Sequence, residues 1–100
     1  MSINDDLQNR QELDRGHRAR LILEDELLRE AFDKLRARIA EDLFSSPVRD
    51  KEGREQMWLM HRLLASVEQH LTSLVETGTM AQLQLERRTA MDRAREWVGL

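Results

Sequence analysis

Residues 57–85 read MWLMHRLLASVEQHLTSLVETGTMAQLQL, and one seam runs the length of this stretch. The seam is Met57, Met60, Leu64, Val67, Leu71, Leu74, Gly78, Ala81 and Leu85, spaced alternately three and four residues apart without a slip. A repeat of 3.5 residues is the period of helices that wind around a partner. Nothing else in the chain is so regular, so the remainder is read outward from this helix. The fold class it predicts is all-α: an antiparallel helical hairpin with a long coiled-coil-like C-terminal helix, oligomeric.

The composition agrees. Among 100 residues, 35 % are charged and 4 % aromatic, with four glycines and one proline. Chains rich in Ala, Leu, Glu, Arg, Gln and Met and poor in aromatics form long helices. The 40 % apolar content is periodic, which separates the chain from disordered ones. One hundred residues allow one domain. There is no cysteine, so disulfides and thiolate metal sites are excluded. Met1–Arg10 is polar and lacks the apolar core of a signal peptide, and no apolar run approaches the ~20 residues that span a bilayer. The expectation is a soluble protein, intracellular when made, with no membrane partner.

Upstream of the seam, residues 45–50 form the one clear loop. Ser45-Ser46-Pro47 ends the preceding helix, because proline disfavours helical geometry in the residue before it. Asp50 is a candidate N-cap for the next helix, and Ser46 with Pro47 a competing start. Residues 26–44 form a helix with Leu28, Phe32, Leu35, Ile39 and Leu43 on one face and Arg29, Lys34, Arg36 and Arg38 opposite. Asp25 caps it, or the helix continues back through Leu21-Ile22-Leu23, since no proline or glycine forces a break. Residues 1–20 are the weakest segment. Ser2 or Asn4 caps a helix there, with Asp5 and Asp6 in its first turn, but Ile3, Leu7 and Leu13 make no continuous stripe. The segment is either a marginal helix that needs a partner surface or a frayed arm.

Downstream, the long helix covers 51–97, about 70 Å at ~1.5 Å per residue. Glu76-Thr77-Gly78-Thr79 is a candidate break, with Gly78 closing one helix and Thr79 and Gln82 opening another. The heptad phase crosses Gly78 unchanged, so the helix is read as continuous or only kinked at 78. Past Leu85 the seam positions are Arg88 and Asp92, and the apolar residues move to Ala90, Met91, Ala94, Trp97 and Val98.

The 26–44 helix covers the long helix roughly from Met57 to Leu74. The seam beyond it lacks a partner within the chain unless the N-terminal segment folds back that far, and exposed seams are commonly buried by self-association. The expected oligomer interface is therefore Leu71, Leu74, Gly78, Ala81 and Leu85, with Trp97 as a tail anchor. Trp58, beside the seam, is read as hairpin core against Phe44 or Phe32.

No arrangement of catalytic residues stands out. His61 and His70 are nine apart, on opposite sides of one helix, and the i, i+4 pairing of helical metal sites is absent. Glu24, Asp25 and Glu26 read as cap residues rather than as an acid–base pair. There is no glycine-rich phosphate loop and no activated-serine motif. The reading is a non-enzyme without metal or cofactor. Arg87, Arg88, Arg93 and Arg95 are the candidates for nucleic-acid contact. Between residues 86 and 96 these four arginines stand against three acids, Glu86, Asp92 and Glu96, and the whole chain is at −3. An exposed face laced with i, i+4 ion pairs is favoured over a phosphate-binding one.

One resemblance can be placed on named residues. Arg18-Ala19, Ile22-Leu23-Glu24-Asp25, Ala31-Phe32-Asp33, Pro47, Arg49-Asp50, Gly53-Arg54-Glu55, Trp58, His70-Leu71, Glu76-Thr77-Gly78 and Ala81 together resemble a group of small helical proteins encoded among the head and packaging genes of tailed bacteriophages. The likeness covers roughly Arg18 to Ala81, and its motifs are structural rather than catalytic. In that group a proline often stands where this chain has Glu26, which supports a helix start at Asp25. The resemblance implies a phage structural or assembly protein acting by protein–protein contacts in head morphogenesis, in the host cytoplasm, with incorporation into the virion left open. Its partners would be copies of itself and other head proteins, portal or capsid. A DNA-binding packaging accessory resembling a small terminase, and a small inhibitor of a host protein, are the alternatives.

Overall fold

The computed structural model describes residues 3–99 and is helical throughout: α1 Ile3–Glu24, α2 Glu26–Ser45 and α3 Lys51–Trp97. Among the described residues there is no strand. Ser2, one of the two candidate caps of α1, lies outside them.

The helix boundaries follow from capping. Asp25 alone separates α1 from α2. Its backbone is extended (φ −65°, ψ 120°), and its carboxylate accepts a hydrogen bond from Leu28 N at 2.9 Å. At the far end of α2, the Ser46 hydroxyl donates to the Leu43 carbonyl at 2.8 Å, satisfying an orphan acceptor of the last turn. A turn through Pro47 follows, closed by Asp50 N donating to the Pro47 carbonyl. Asp50 then caps α3 by accepting from Gly53 N at 3.0 Å, so the competing start at Ser46-Pro47 is not used. α3 runs without interruption through Gly78, whose φ is not positive. The Thr79 hydroxyl bonds back to the Val75 carbonyl of the same helix instead of opening a new one.

Two units divide the chain. The first joins the chain up to Arg20 with the chain from Leu71 on; the second is Leu21–His70.

In the first unit α1 packs antiparallel on the C-terminal half of α3. Gly16 lies on Gly78 and Asp6 reaches Arg88, and both pairs keep one register. The buried residues are Asn9, Gly16 and Ala19 of α1 and Gly78 and Ala81 of α3, with Leu71, Leu74, Leu85 and Arg88 half-buried. Each helix thus presents a Gly-x-x-Ala step to the other, and small side chains let the backbones meet. A Cβ on Gly16 would stand 2.8 Å from the Leu74 carbonyl oxygen and 2.9 Å from Gly78 Cα. The N-terminal segment is therefore a helix that folds back onto the seam.

In the second unit α2 pairs with the first half of α3. Ile39 is buried, with Leu28, Phe32, Arg36, Leu43, Met57, Leu64 and Glu68 half-buried around it. Arg36 and Glu68 form an ion pair between the two helices, and Arg36 also holds Asp33 at 3.1 Å. This arrangement corrects the expected hairpin core. Arg36 takes an inward place and Leu35 stays 46 % exposed. Trp58 and Phe44 do not meet in the interior. Both are exposed, and the Trp58 ring instead carries the Arg62 guanidinium 5.0 Å from its centroid.

Little apolar surface is removed from water. Among the described residues the buried hydrophobic side chains are Ala19, Ile39 and Ala81.

Candidate functional site

The surfaces that carry chemistry are set by which face of α3 each neighbouring helix covers. In the first unit the seam is occupied from within the chain. Gly78 and Ala81, two of the expected oligomer contacts, lie buried under α1, and Leu71, Leu74 and Leu85 are half-buried. Trp97, the expected tail anchor, is 90 % exposed, next to exposed Val98.

The seam also outlasts Leu85. Its next position, Arg88, is half-buried and pairs with Asp6 of α1 at 2.6 Å. The second Asp6 oxygen, Oδ1, is shut off from water and has no hydrogen-bond partner. The pair closes the α1–α3 contact with charge where the upstream seam uses leucine and glycine. Hydropathy alone reads this position as the end of the seam. The signal that could have found it is phase, because Arg88 keeps the three-four spacing and an acid stands in the matching place on α1.

Three of the four candidate nucleic-acid contacts, Arg87, Arg88 and Arg95, share one groove, and Arg93 lies outside it. Arg88 is committed to Asp6. Arg87, Arg88 and Arg95 line this groove of about 640 Å³ between α1 and α3, together with Asp5, Glu12 and Asp92. Arg93 lines a different groove, beside Glu86 and Leu13. The first groove mixes acids and bases along its walls, which is the pattern of a solvated charged face.

Among the described residues no group of three or more His, Cys, Asp or Glu side chains is placed to hold a metal ion. Of the cluster Glu24-Asp25-Glu26, Asp25 is engaged as the cap of α2. Within the described residues no helix is long and apolar enough to cross a membrane.

An apolar display lies in the second unit, on a part of α3 that the apolar pattern places under the 26–44 helix. Two of the seam's own residues, Met60 and Val67, are left in solvent there, because α2 packs on Met57, Leu64 and Glu68. With Leu59 and Leu63 they form a stripe in which each side chain is between 45 % and 66 % exposed. Comparison of the chain with known protein families, with curated proteins and with solved structures finds no match.

Proposed function

We propose that this chain is a non-enzymatic helical assembly protein that works by protein–protein contact. Its setting would be head morphogenesis of a tailed phage, in the host cytoplasm, with portal or capsid proteins and further copies of itself as partners. The observation that carries the contact reading is the exposed stripe Leu59, Met60, Leu63 and Val67 on α3. A contiguous exposed apolar patch is often functional. The phage setting rests on the residues between Arg18 and Ala81 that resemble small head-gene proteins.

The nucleic-acid reading is the weaker one. Three of its four arginines share one groove, but Arg88 there is paired with Asp6, and Asp5, Glu12 and Asp92 stand in the same walls. The test is to mix the purified chain with the portal and major capsid proteins of a tailed phage and to measure co-sedimentation. Retention that is lost when Leu63 and Val67 become glutamate supports the proposal. Retention by neither partner removes the head-assembly setting.

A further inference from the structure

The register that sets Gly16 on Gly78 and Asp6 by Arg88 also sets Leu13 opposite Ala81 and Asn9 opposite Leu85. Along α1 the inward positions Asp6, Asn9, Leu13 and Gly16 are spaced three, four and three, so α1 follows the phase of the seam it covers. It follows that phase without the apolar side chains that belong to it. Among the described residues of this unit, α1 turns one large apolar side chain inward, Leu13, and that one is half-buried; Ile3 and Leu7 are exposed.

The polar positions of the contact are not satisfied. Asn9 is 6 % exposed and faces a leucine, whose side chain has no hydrogen bond to offer an amide. One turn nearer the N-terminus, Asp6 Oδ1 and Arg88 Nη1 are shut off from water, and neither has a hydrogen-bond partner. Buried polar groups are normally paired, and an unpaired one subtracts from what the rest of the contact contributes. An asparagine in a helical seam fixes register at a cost in stability. The contact therefore fixes where α1 lies and holds it weakly. The second unit is closed by larger apolar groups, with Ile39 buried and Leu28, Phe32, Leu43, Met57 and Leu64 half-buried.

We propose that α1 is a releasable cover. It leaves α3 in one step while α2 and the first half of α3 stay paired, and its leaving bares Leu71, Leu74, Gly78, Ala81 and Leu85. Segments that open ahead of global unfolding do so as cooperative units with few buried apolar contacts. Released α1 does not persist as a helix, because helical stability comes mostly from packing an amphipathic face, and its large apolar residues form no stripe. Release is thus a helix–coil step confined to α1. In the closed form the most regular surface of the chain is covered, and in the open form it is presented, so α1 is an autoinhibitory contact over the seam. The inference stands on the α1–α3 contact and depends neither on the exposed stripe of the second unit nor on the phage setting.

Native-state hydrogen exchange of the full chain, followed by NMR at several sub-denaturing urea concentrations, tests it. The amides from Asn9 to Arg20 should exchange through one shared opening, about tenfold or more faster than those around Ile39 and Leu64. Asn9→Leu should slow the α1 amides by about tenfold and leave those around Ile39 unchanged. Asp6→Leu with Arg88→Leu should slow them likewise and repeats the test independently of Asn9. The chain has no cysteine, so Ala81→Cys reports the seam alone. Ala81 is 1 % exposed, and a thiol reagent should reach the cysteine at a rate that Asn9→Leu lowers by the same factor as α1 exchange. Amides of α1 as protected as those around Ile39 overturn the proposal, because the chain then opens as a whole. Protection that falls steadily from Arg20 to Asn9 overturns the single step in favour of fraying. Exchange of α1 that neither variant slows overturns the weak hold on which the release depends.

Discussion

Replacing Gly16 by alanine sets two effects of opposite sign against each other. On an exposed helix, alanine in place of glycine stabilises by about 1 kcal/mol. At Gly16 the new methyl would stand 2.8 Å from the Leu74 carbonyl oxygen and 2.9 Å from Gly78 Cα, both backbone atoms that no rotamer change can move. α1 must lift off α3 by about half an ångström, and overpacking of this kind costs typically 1–3 kcal/mol. The net expectation for Gly16→Ala is destabilisation by about 1 kcal/mol, or roughly 4–8 °C in Tm for a chain of this size. Gly78→Ala should cost less, because its Cβ would meet Gly16 Cα at 3.0 Å and the Glu12 carbonyl at 3.1 Å. Thermal unfolding followed by circular dichroism at one protein concentration measures both. Trypsin adds a local readout, since α1 carries Arg10, Arg15, Arg18 and Arg20 and should be cut faster in Gly16→Leu. A rise in Tm of several degrees for Gly16→Ala would refute the close crossing, because that is the result for a helix with open space around it.

The remaining predictions concern charge and capping. Arg88→Ala alone should destabilise by about 1–3 kcal/mol, since it leaves the partly buried Asp6 carboxylate without its cation, whereas Asp6→Leu with Arg88→Leu should be at least as stable as the parent; urea unfolding of the parent and the two variants decides. Glu26→Pro should be neutral or stabilising by up to about 1 kcal/mol, because Glu26 is the first residue of α2 and Asp25 already has the extended backbone that proline requires before it. Asp50→Ala should cost about 1 kcal/mol through the lost bond to Gly53 N, read by the same unfolding measurement. Changing Arg87, Arg93 and Arg95 together to alanine should leave retention of duplex DNA at low salt unchanged; a clear loss with a shallower salt dependence would favour a nucleic-acid role.

How far the sequence could be read depended on whether a contact is made by apolar side chains. The seam from Met57 to Leu85 is visible because hydropathy repeats, and the junctions at Asp25 and Asp50 are visible because capping has a fixed chemistry. The partner of the seam's far half is not visible in the same way. α1 meets it with Asn9, Gly16 and Ala19, which are buried, and Glu12, which is half-buried, and none of these registers as a hydrophobic stripe. In the hairpin, Arg36 and Glu68 occupy inward places as an ion pair, and this leaves Leu35, Met60 and Val67 in solvent. The apolar pattern marks these residues as contacts, but the pattern alone does not say which helix, or which chain, they face. Trp58 illustrates the same limit: its size favours the interior, yet the Arg62 cation holds it at the surface.

The most direct test of the central claim, that this is a contact protein built around the exposed face of α3, is the absolute mass by light scattering after size exclusion, run over a range of concentrations beside the Leu63→Glu variant. The prediction is twice the 11.8 kDa chain mass or a higher multiple for the parent, and a single-chain mass for the variant. A parent that stays a single chain at every concentration, or a variant that assembles as the parent does, would contradict it.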